Sequence, residues 1–183
     1  MSIAEALLTV KEYAETPEDD RRTELVRGRI VELPPPKPLH GRICYRVASI
    51  VGRYVDANDL GTMLINDAGI ITRRNPDSVR GADVAYYSYA RIPRGPLADT
   101  YPDVSPDLVI EVRSPADRWR DIHSKVAEYL TIGVLDVCVL DPDTKSAHLY
   151  YPDQPNRTLG PDDDLTFPEC FPDFRVGIAT LFE

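Results

Sequence analysis

Two apolar stretches rich in Val and Leu constrain this chain more than any other feature, because a segment with helical periodicity separates them. The stretches are residues 108–113 and 134–141, and in the intervening residues 121–132 the apolar Ile122 and Val126 fall on one face. A strand followed by a helix and a second Val-rich strand is typical of a mixed α/β domain with helices packed on a central sheet. The pattern therefore favours a central position for the first strand.

Glu111 lies near the middle of that first strand, where a charged side chain needs an explanation. Because strand side chains alternate, one face of the strand is apolar and the opposite face carries Asp107, Glu111 and Arg113. Removing a charge from water costs several kcal/mol unless a counter-ion or a metal compensates. Two interpretations stay open: an edge strand with one solvated face, or a central strand whose Glu111 faces a polar cleft.

The rest of the chain predicts further helices and strands around this unit. Thr9 and Glu12 have the spacing of a capping box, and two β-prone arms around Arg27-Gly28 predict an N-terminal β-hairpin. The predicted helices cover residues 10–14, 40–55 and 121–132; the hairpin covers 23–33; the predicted strands cover 62–65, 69–73, 82–88, 108–113, 134–141, 147–151 and 174–176; and the loops include 17–20, 34–38, 75–81 and 91–106. This order indicates one α/β domain over residues 1–183.

The charge, the apolar content and the cysteines limit the functions open to this chain. A net charge of −9 argues against non-specific binding of nucleic acid, although it leaves room for a local basic patch. No apolar run approaches the ~20 residues that a membrane-spanning helix needs, and the N-terminus lacks the pattern of a secretory signal, so we expect a cytoplasmic protein. The widely spaced Cys44, Cys138 and Cys170 favour buried side chains over a zinc site or disulfides.

Carboxylates on neighbouring predicted strands indicate a metal site. Asp83 opens one predicted strand and Glu111 lies inside the next, so the two side chains can approach each other across a sheet. Two carboxylates a few Å apart stay ionised together only around a cation, and hard oxygen ligands favour Mg²⁺ or Mn²⁺. Asp121, Lys125 and Tyr129 form one row on the following helix. That row is either a solvated surface or a way of bringing the Lys125 ammonium to the carboxylates.

Several segments together resemble the PD-(D/E)XK nuclease superfamily, and within it a restriction-endonuclease-like family of bacterial proteins. The segments are TELVRGRIVEL, His40 at the start of a helix, GADVAYYS, PDLVIEVRSPADRWRDIHSKVAEYLTIGVLDVCVLDP and the closing FPDFRVGIATLF, so the resemblance covers residues 9–183. It implies a restriction-endonuclease-like αβββαβ core with a mixed central sheet flanked by helices. It also implies an endonuclease that hydrolyses the phosphodiester bonds of DNA with Mg²⁺ or Mn²⁺, and a homodimer, as for many proteins of this fold.

The resemblance implies roles for particular residues of this chain. Asp83 and Glu111 match the two motif acids, which act in catalysis and hold the metal, and Asp107 matches an auxiliary metal ligand at the rim of the site. Glu24 and His40 match further polar positions near the cleft and are implied to be catalytic. For His40, a proton relay and a structural role both stay open.

The sequence departs from the superfamily pattern at position 113, where Arg stands in place of the usual Lys. In this branch of the superfamily, Lys125 on the following helix is implied to supply the missing amine, which orients a water or stabilises the transition state. Arg42, Arg46 and Arg113 are candidates for contact with nucleic acid, with a solvated surface or a dimer contact as the alternative for Arg42 and Arg46. The alternative function is a catalytically degenerate member of the same fold that binds nucleic acid or a protein.

Overall fold

A computed structural model describes residues 6–17 and 21–183, and its elements follow the predicted order. Of the acidic loop predicted over 17–20, only Pro17 lies within the described residues. The helices in this part of the chain are α1 (Val10–Ala14), α2 (Pro38–Asn58), α3 (Trp119–Thr131) and α4 (Ile178–Leu181), and the strands are β1 (Thr23–Val26), β2 (Arg29–Glu32), β3 (Gly61–Arg73), β4 (Ser78–Ser88), β5 (Leu108–Val112), β6 (Asp136–Asp141), β7 (Ser146–Tyr150), β8 (Arg157–Leu159), β9 (Asp164–Phe167) and β10 (Phe171–Gly177).

Local sequence signals explain the N-terminal elements. The Thr9 hydroxyl accepts the Glu12 N–H, and the Glu12 carboxylate accepts the Thr9 N–H, so the predicted capping box forms at α1. Arg27 and Gly28 join β1 to β2 with φ angles of 51° and 77°. Two positive φ angles give a two-residue turn whose twist matches the flanking strands. The predicted helix and hairpin are both confirmed.

Among the described residues, eight strands form one mixed sheet in the order β2-β1-β4-β5-β6-β7-β8, with β3 also paired to β4. β5 and β6 run parallel across the connection through α3, whereas the other neighbouring pairs are antiparallel. β9 and β10 form a separate antiparallel pair. Because β5 lies between β4 and β6, its predicted central position is confirmed and the edge-strand interpretation is wrong.

The strand β4 has two different partners along one of its edges, and this arrangement leaves a gap in the sheet. Val79 pairs with Leu25 of β1, whereas Val84 pairs with Ile110 of β5. The strand β3 follows the opposite edge of β4 along most of its length. Residues 80–83 therefore lie where β1 and β5 diverge, and their backbone groups on that edge need partners other than a strand.

Helices cover both faces of the sheet near this gap. The alternation predicted for β5 is confirmed, because Leu108, Ile110 and Val112 pack in one core with α2, whereas Val109 packs in the other with α3. Burying each such aliphatic side chain stabilises the fold by about 1.5–3 kcal/mol. None of the helices that the described residues form is both long and apolar enough to span a bilayer.

The two strands predicted over 62–65 and 69–73 are one continuous strand, β3. Asn66 and Asp67 between them adopt φ angles of 66° and 58°, and the register against β4 shifts at this point. Turn-prone residues here form a bulge rather than a turn, because an extra residue is inserted opposite β4. The prediction of two separate strands is wrong, and the longer β3 supports the full length of β4.

Three other boundaries also differ from the prediction. β4 begins at Ser78, inside the predicted loop 75–81, because its pairing with β3 continues beyond the Val- and Tyr-rich part. Pro38, which we placed in the connector, is the first residue of α2, where proline loses no hydrogen bond. The C-terminal tail forms β8, β9, β10 and α4, although the sequence predicted one strand-like stretch there.

Candidate active site

The gap between β1 and β5 opens into a cleft of about 560 Å³. One wall consists of the β1–β2 hairpin and the proline-rich residues 34–36, and the other consists of the loop 114–118 and the first turns of α3. β4 and β5 supply the carboxylates between these walls. The cleft brings together the five residues predicted to be catalytic: Glu24, His40, Asp83, Glu111 and Lys125.

In the gap, side chains rather than a neighbouring strand form hydrogen bonds with the backbone of Gly81. The N–H of Gly81 donates to Glu24 Oε1 at 3.1 Å, and its C=O accepts from Lys125 Nζ at 3.1 Å. A carboxylate from β1 and an ammonium from α3 thus satisfy the backbone of β4 where no strand reaches it. A Cβ at position 81 would lie 2.8 Å from the Cβ of Asp67, so only glycine fits.

Asp83 is 7% exposed, and groups from two other elements hold it. Its Oδ2 accepts the N–H of Val112 at 2.7 Å and lies 3.3 Å from His40 Nε2. Burial on its own would raise the pKa of Asp83, but the contacts with His40 and Val112 and the charge of Lys125 hold it below its usual value. The hydrogen bond to Asp83 raises the pKa of His40. The result is an ionised carboxylate beside a readily protonated imidazole.

Glu111 contacts Lys125 and Tyr129, two members of the helical row that the sequence identified. Its Oε1 accepts from the Tyr129 hydroxyl at 2.7 Å and from Lys125 Nζ at 2.9 Å. Burial, opposed by Lys125 and helped by the charge of Asp83, raises the pKa of Glu111 to about 7. Burial opposes the charge of Lys125 too, but Glu111 and Glu24 outweigh it and raise the Lys125 pKa. Near neutral pH, Glu111 is balanced between two protonation states while Lys125 stays charged.

A second ion-pair network fixes Glu24 and, through it, Lys125. Glu24 is 3% exposed; its Oε1 lies 3.3 Å from Lys125 Nζ and its Oε2 lies 2.9 Å from Arg80 Nη1. Arg80 also donates two hydrogen bonds, at 2.8 and 2.7 Å, to the carboxylate of Glu128 on α3. Bidentate pairs of this kind restrict both partners. The Lys125 ammonium is therefore held in place from β1, β4 and β5.

The oxygens of Asp83 and Glu111 fit a hard divalent cation. Within residues 6–17 and 21–183, hydrogen bonds engage Asp83 Oδ2 and Glu111 Oε1. Asp83 Oδ1 has Arg22 Nη2 at 3.9 Å, and Glu111 Oε2 accepts no hydrogen bond from a described residue. Each carboxylate thus keeps an oxygen for a ligand, and carboxylate oxygens are preferred by Mg²⁺ and Mn²⁺. The donor set fits the ion that the resemblance implies.

A neighbouring group of His40, Cys44 and Asp83 also places three ligand atoms within 4.8 Å of one another. The two ring nitrogens of His40 face different partners, since Nδ1 lies 3.4 Å from Cys44 Sγ and Nε2 lies 3.3 Å from Asp83 Oδ2. Burial raises the pKa of the Cys44 thiol, and a metal needs the thiolate. The group is therefore better suited to hydrogen bonding through His40 than to holding an ion.

Asp107, which the resemblance assigned to the rim of the metal site, lies elsewhere. Its carboxylate accepts the N–H of Ser88 at 2.7 Å and the Nε–H of Arg91 at 2.8 Å. It precedes Glu111 by four residues of extended chain, which separates the two by about 13 Å. The structure does not bring Asp107 to Asp83 and Glu111, because local donors at the other end of β5 take both of its oxygens.

The three arginines proposed for nucleic-acid contact also differ in position. Arg42 and Arg46 donate to backbone carbonyl groups near the C-terminus at 3.1 and 3.0 Å, so they connect α2 to the end of the chain and do not line the cleft. Arg113 does line the cleft, but its Nη1 lies 2.9 Å from Asp141 and 2.7 Å from Asp143. Asp141 and Asp143 thus hold the Arg113 guanidinium, and Lys125 is the cation that contacts Glu111.

Sequence reasoning missed Arg22 and Arg80, which both line the cleft. Arg22 pairs with the bulge residue Asp67 and approaches Asp83. Arg80 was assigned to a loop, because the strand was predicted to begin at residue 82. Extending that strand to Ser78 would have placed Arg80 beside the site, but Gly81, Ala82 and Asp83 are poor strand formers, and it is the pairing with β3 that extends the strand.

Comparisons with known proteins identify the family and the fold of this chain. The model of the Uma2 family, described as "putative restriction endonuclease", matches residues 10–180. A crystal structure from Anabaena variabilis of a "putative nuclease belonging to DUF820" has a TM-score of 0.84 at 23% sequence identity, covering 96% of this chain and 97% of that one. This likeness shows the restriction-endonuclease-like fold that the sequence predicted. A search of curated proteins found no match.

Proposed function

This chain belongs to the Uma2 family, and on that premise we propose that it is a nuclease that uses Mg²⁺ or Mn²⁺ to hydrolyse phosphodiester bonds of DNA. One observation carries the proposal: Asp83 and Glu111 line one cleft, with the Lys125 ammonium 2.9 Å from the Glu111 carboxylate. The cytoplasmic location, the homodimer and the single domain over residues 1–183 stay predictions from the sequence.

Asp83 and Glu111 would hold the divalent ion, which supplies positive charge for the phosphate and lowers the pKa of water. Asp83 is suited to this task because its pKa is held low, so it is ionised at neutral pH. Burial raises the pKa of Glu111 to about 7, so a proton and the ion would compete for its carboxylate near neutral pH. Asp83 would thus stay negatively charged around neutral pH, whereas the charge of Glu111 would change with pH.

Lys125 supplies a fixed cation next to the reacting groups. Its Nζ lies 2.9 Å from Glu111 and 3.3 Å from Glu24, and it also donates to the Gly81 carbonyl. A cation that is already held in place needs no reorganisation when charge develops on a phosphate. Lys125 therefore stabilises the negative charge of the transition state or orients the attacking water.

His40 acts through Asp83 in this proposal. Its Nε2 lies 3.3 Å from Asp83 Oδ2, and its Nδ1 faces Cys44. The imidazole fixes the Asp83 carboxylate through Oδ2, and the other oxygen, Oδ1, which has Arg22 Nη2 at 3.9 Å, would take part in holding the ion. His40 is thus a positioning residue, and Glu24 plays the same part for Lys125.

Cleavage of plasmid DNA tests the proposal. We expect supercoiled DNA to be nicked or cut with Mg²⁺ or Mn²⁺ and to stay intact with EDTA. Glu111→Gln should abolish this activity without changing the melting temperature much, whereas Asp162→Asn, at an exposed acid of the tail, should change neither. Calorimetric binding of Mn²⁺ by both proteins gives a readout that does not depend on finding the right DNA.

A catalytically degenerate family member is the second candidate. It is favoured by Arg113, which stands where the superfamily has Lys and which is engaged by Asp141 and Asp143. In that case neither Mg²⁺ nor Mn²⁺ supports cleavage, and Mn²⁺ binds the unmodified protein and Glu111→Gln equally weakly. Tight Mn²⁺ binding that Glu111→Gln removes would contradict this second candidate.

A further inference from the structure

Tyr129 contacts the candidate metal ligand Glu111 from the side of the core. It lies in the last turn of α3, and its side chain is fully buried in the core that also contains Val109 and Val126. The hydroxyl donates to Glu111 Oε1 at 2.7 Å and makes no other hydrogen bond within residues 6–17 and 21–183. A phenylalanine ring would fill the same space in this core, so packing alone does not account for the hydroxyl.

Two donors from α3 hold the same oxygen of Glu111. Tyr129 and Lys125 are four residues apart, which places them on one face of the helix, and both contact Oε1, at 2.7 and 2.9 Å. The Oε2 atom accepts no hydrogen bond from the described part of the chain. The carboxylate cannot turn without breaking one of the two contacts, because hydrogen bonds weaken steeply with angle. Glu111 therefore presents one oxygen, Oε2, to a ligand in the cleft that it lines.

Asp83 is held at one oxygen in the same way. Its Oδ2 accepts the N–H of Val112 at 2.7 Å and lies 3.3 Å from His40 Nε2. Its Oδ1 has Arg22 Nη2 at 3.9 Å, which is beyond hydrogen-bonding distance. Each of the two acids thus offers a single oxygen, because groups of the protein occupy the other one.

The number of oxygens that a site offers influences which divalent ion it holds. Mg²⁺ requires an octahedral shell, keeps several waters and is bound through one or two carboxylates. Ca²⁺ is larger, takes about six to eight oxygens, and can use both oxygens of one carboxylate. Two acids that each offer one oxygen therefore suit Mg²⁺ and supply few of the ligands that Ca²⁺ needs.

We propose that Tyr129 is a positioning residue that holds Glu111 with one oxygen free, and that it thereby sets a preference of the site for Mg²⁺ over Ca²⁺. This inference rests on the metal site and the nuclease function proposed above. Tyr129 acts through Glu111 and contacts neither the ion nor the phosphate. Without the hydroxyl, only Lys125 contacts Oε1, so the carboxylate can turn and offer both oxygens to the larger ion.

Tyr129→Phe tests the inference, because it removes the hydroxyl and keeps the ring that packs in the core. Calorimetry with Mn²⁺ as the probe, and with Mg²⁺ or Ca²⁺ as the competitor, measures the ratio of the two affinities without DNA. We expect the affinity for Mg²⁺ to fall roughly 3- to 10-fold while that for Ca²⁺ stays level or rises, so the ratio falls by at least the same factor.

Tyr86→Phe is the matched control. The Tyr86 side chain is also buried, and its hydroxyl donates to the carbonyl of Leu60 at 3.1 Å, but Tyr86 does not line the cleft. This variant loses a comparable hydrogen bond and should keep the ratio of Mg²⁺ to Ca²⁺ affinity. Melting temperatures show that both variants are folded at the temperature of the titrations. An unchanged ratio in Tyr129→Phe, or an equal loss of affinity for both ions as a purely structural role would give, overturns the inference.

The same titrations distinguish failure of the inference from failure of the proposed function. If Mn²⁺ binds the unmodified protein and Glu111→Gln removes this binding, but Tyr129→Phe leaves the ratio unchanged, the metal site stands and the role of Tyr129 is rejected. If the unmodified protein binds no Mn²⁺, both are rejected.

Discussion

Two acids four residues apart have different surroundings, because Asp107 lies directly before the first residue of β5 and Glu111 is the last residue but one of that strand. At the N-terminal end, both oxygens of Asp107 are engaged, by the N–H of Ser88 and by the guanidinium of Arg91. At the C-terminal end, Glu111 receives Lys125 and Tyr129 on one oxygen and opens onto the cleft. The partners, and not the place along this segment, separate a structural acid from the acid that we propose to bind an ion.

The partners of the two acids also differ in how fixed they are. Asp107 is neutralised by a backbone N–H and an arginine, which is charged at any pH that a folded protein meets. Glu111 depends on Lys125 for its charge balance, and burial raises its pKa to about 7. A satisfied acid adds stability, whereas an acid that is buried and only partly satisfied retains capacity for a cation.

Replacing each acid by its amide should distinguish the roles of Glu111 and Asp107 most clearly. We expect Glu111→Gln to lower DNA cleavage on the order of 10³-fold with little change in stability. Asp107→Asn should leave cleavage per folded molecule unchanged and lower the free energy of unfolding by about 1–3 kcal/mol, because Arg91 loses its partner. Cleavage assays and urea denaturation of both variants check this, and an inactive but stable Asp107→Asn would reverse the assignment.

Removing the cation beside Glu111 is expected to have the next largest effect. Lys125→Met should lower cleavage on the order of 10²-fold, because the fixed positive charge beside the phosphate is lost. The pKa of Glu111 should also rise, since Lys125 lowers it in the intact protein. Lys145→Met, at an exposed lysine of the β6–β7 turn, is the matched control. Equal activity of the two variants in the plasmid assay speaks against a catalytic role for Lys125.

The protonation of Glu111 should make the affinity for Mn²⁺ depend on pH. Glu111 is protonated below its pKa of about 7, so Mn²⁺ affinity should fall roughly tenfold per pH unit below that value and level off above it. Asp83 contributes no step in this range because its pKa lies below the usual value. Calorimetric titrations between pH 5.5 and 8.5 measure the profile. Asp107→Asn should show the same curve, and a flat profile would contradict the predicted proton competition.

A third buried acid, Asp136, extends the comparison to an acid without partners. It is fully buried, and no hydrogen-bond donor within the described residues satisfies either carboxylate oxygen; the nearby Cys170 thiol is at best a weak donor. Burial raises the pKa of Asp136 to about 6, above the usual range of an aspartate. The native state therefore prefers the protonated acid, and the stability contributed by that proton is lost as the pH rises through about 4 to 6.

Asp136→Asn should remove this loss. We expect the variant to be more stable than the unmodified protein at pH 8 by on the order of 1–3 kcal/mol and about equally stable at pH 4. Cleavage should not change, because Asp136 does not line the cleft. Thermal unfolding at the two pH values measures the difference, and a variant that is less stable at pH 8 would show that Asp136 has a stabilising partner.

Local periodicity was enough to predict the central strand and the Lys125 row. Alternation in β5 and the four-residue spacing of Lys125 and Tyr129 are short-range signals that allowed Lys125 to reach the carboxylates, and in the structure both side chains of this row contact Glu111. The same signals could not separate Asp107 from Glu111, because the partner that differs, Arg91, lies in a loop that pairing between distant strands brings to β5. Alternation in the sequence predicts on which face of a strand a side chain lies, but the residues that it contacts there depend on the fold.

Long-range pairing also explains the other misses. Asn66 and Asp67 have the composition of a turn, but β4 runs past them and turns the pair into a bulge. Arg80 then lies in a strand and beside the site, where its sequence context alone indicated a loop. The tail forms short strands whose stability comes from contacts with distant residues rather than from local propensity.

Anomalous X-ray scattering from a crystal soaked in Mn²⁺ tests the central claim most directly. The account predicts a manganese peak between Asp83 and Glu111, within coordination distance of both carboxylates. A peak bound instead by His40 and Cys44, or no peak at any Mn²⁺ concentration that the crystal tolerates, would contradict the claim that these two acids form the metal site.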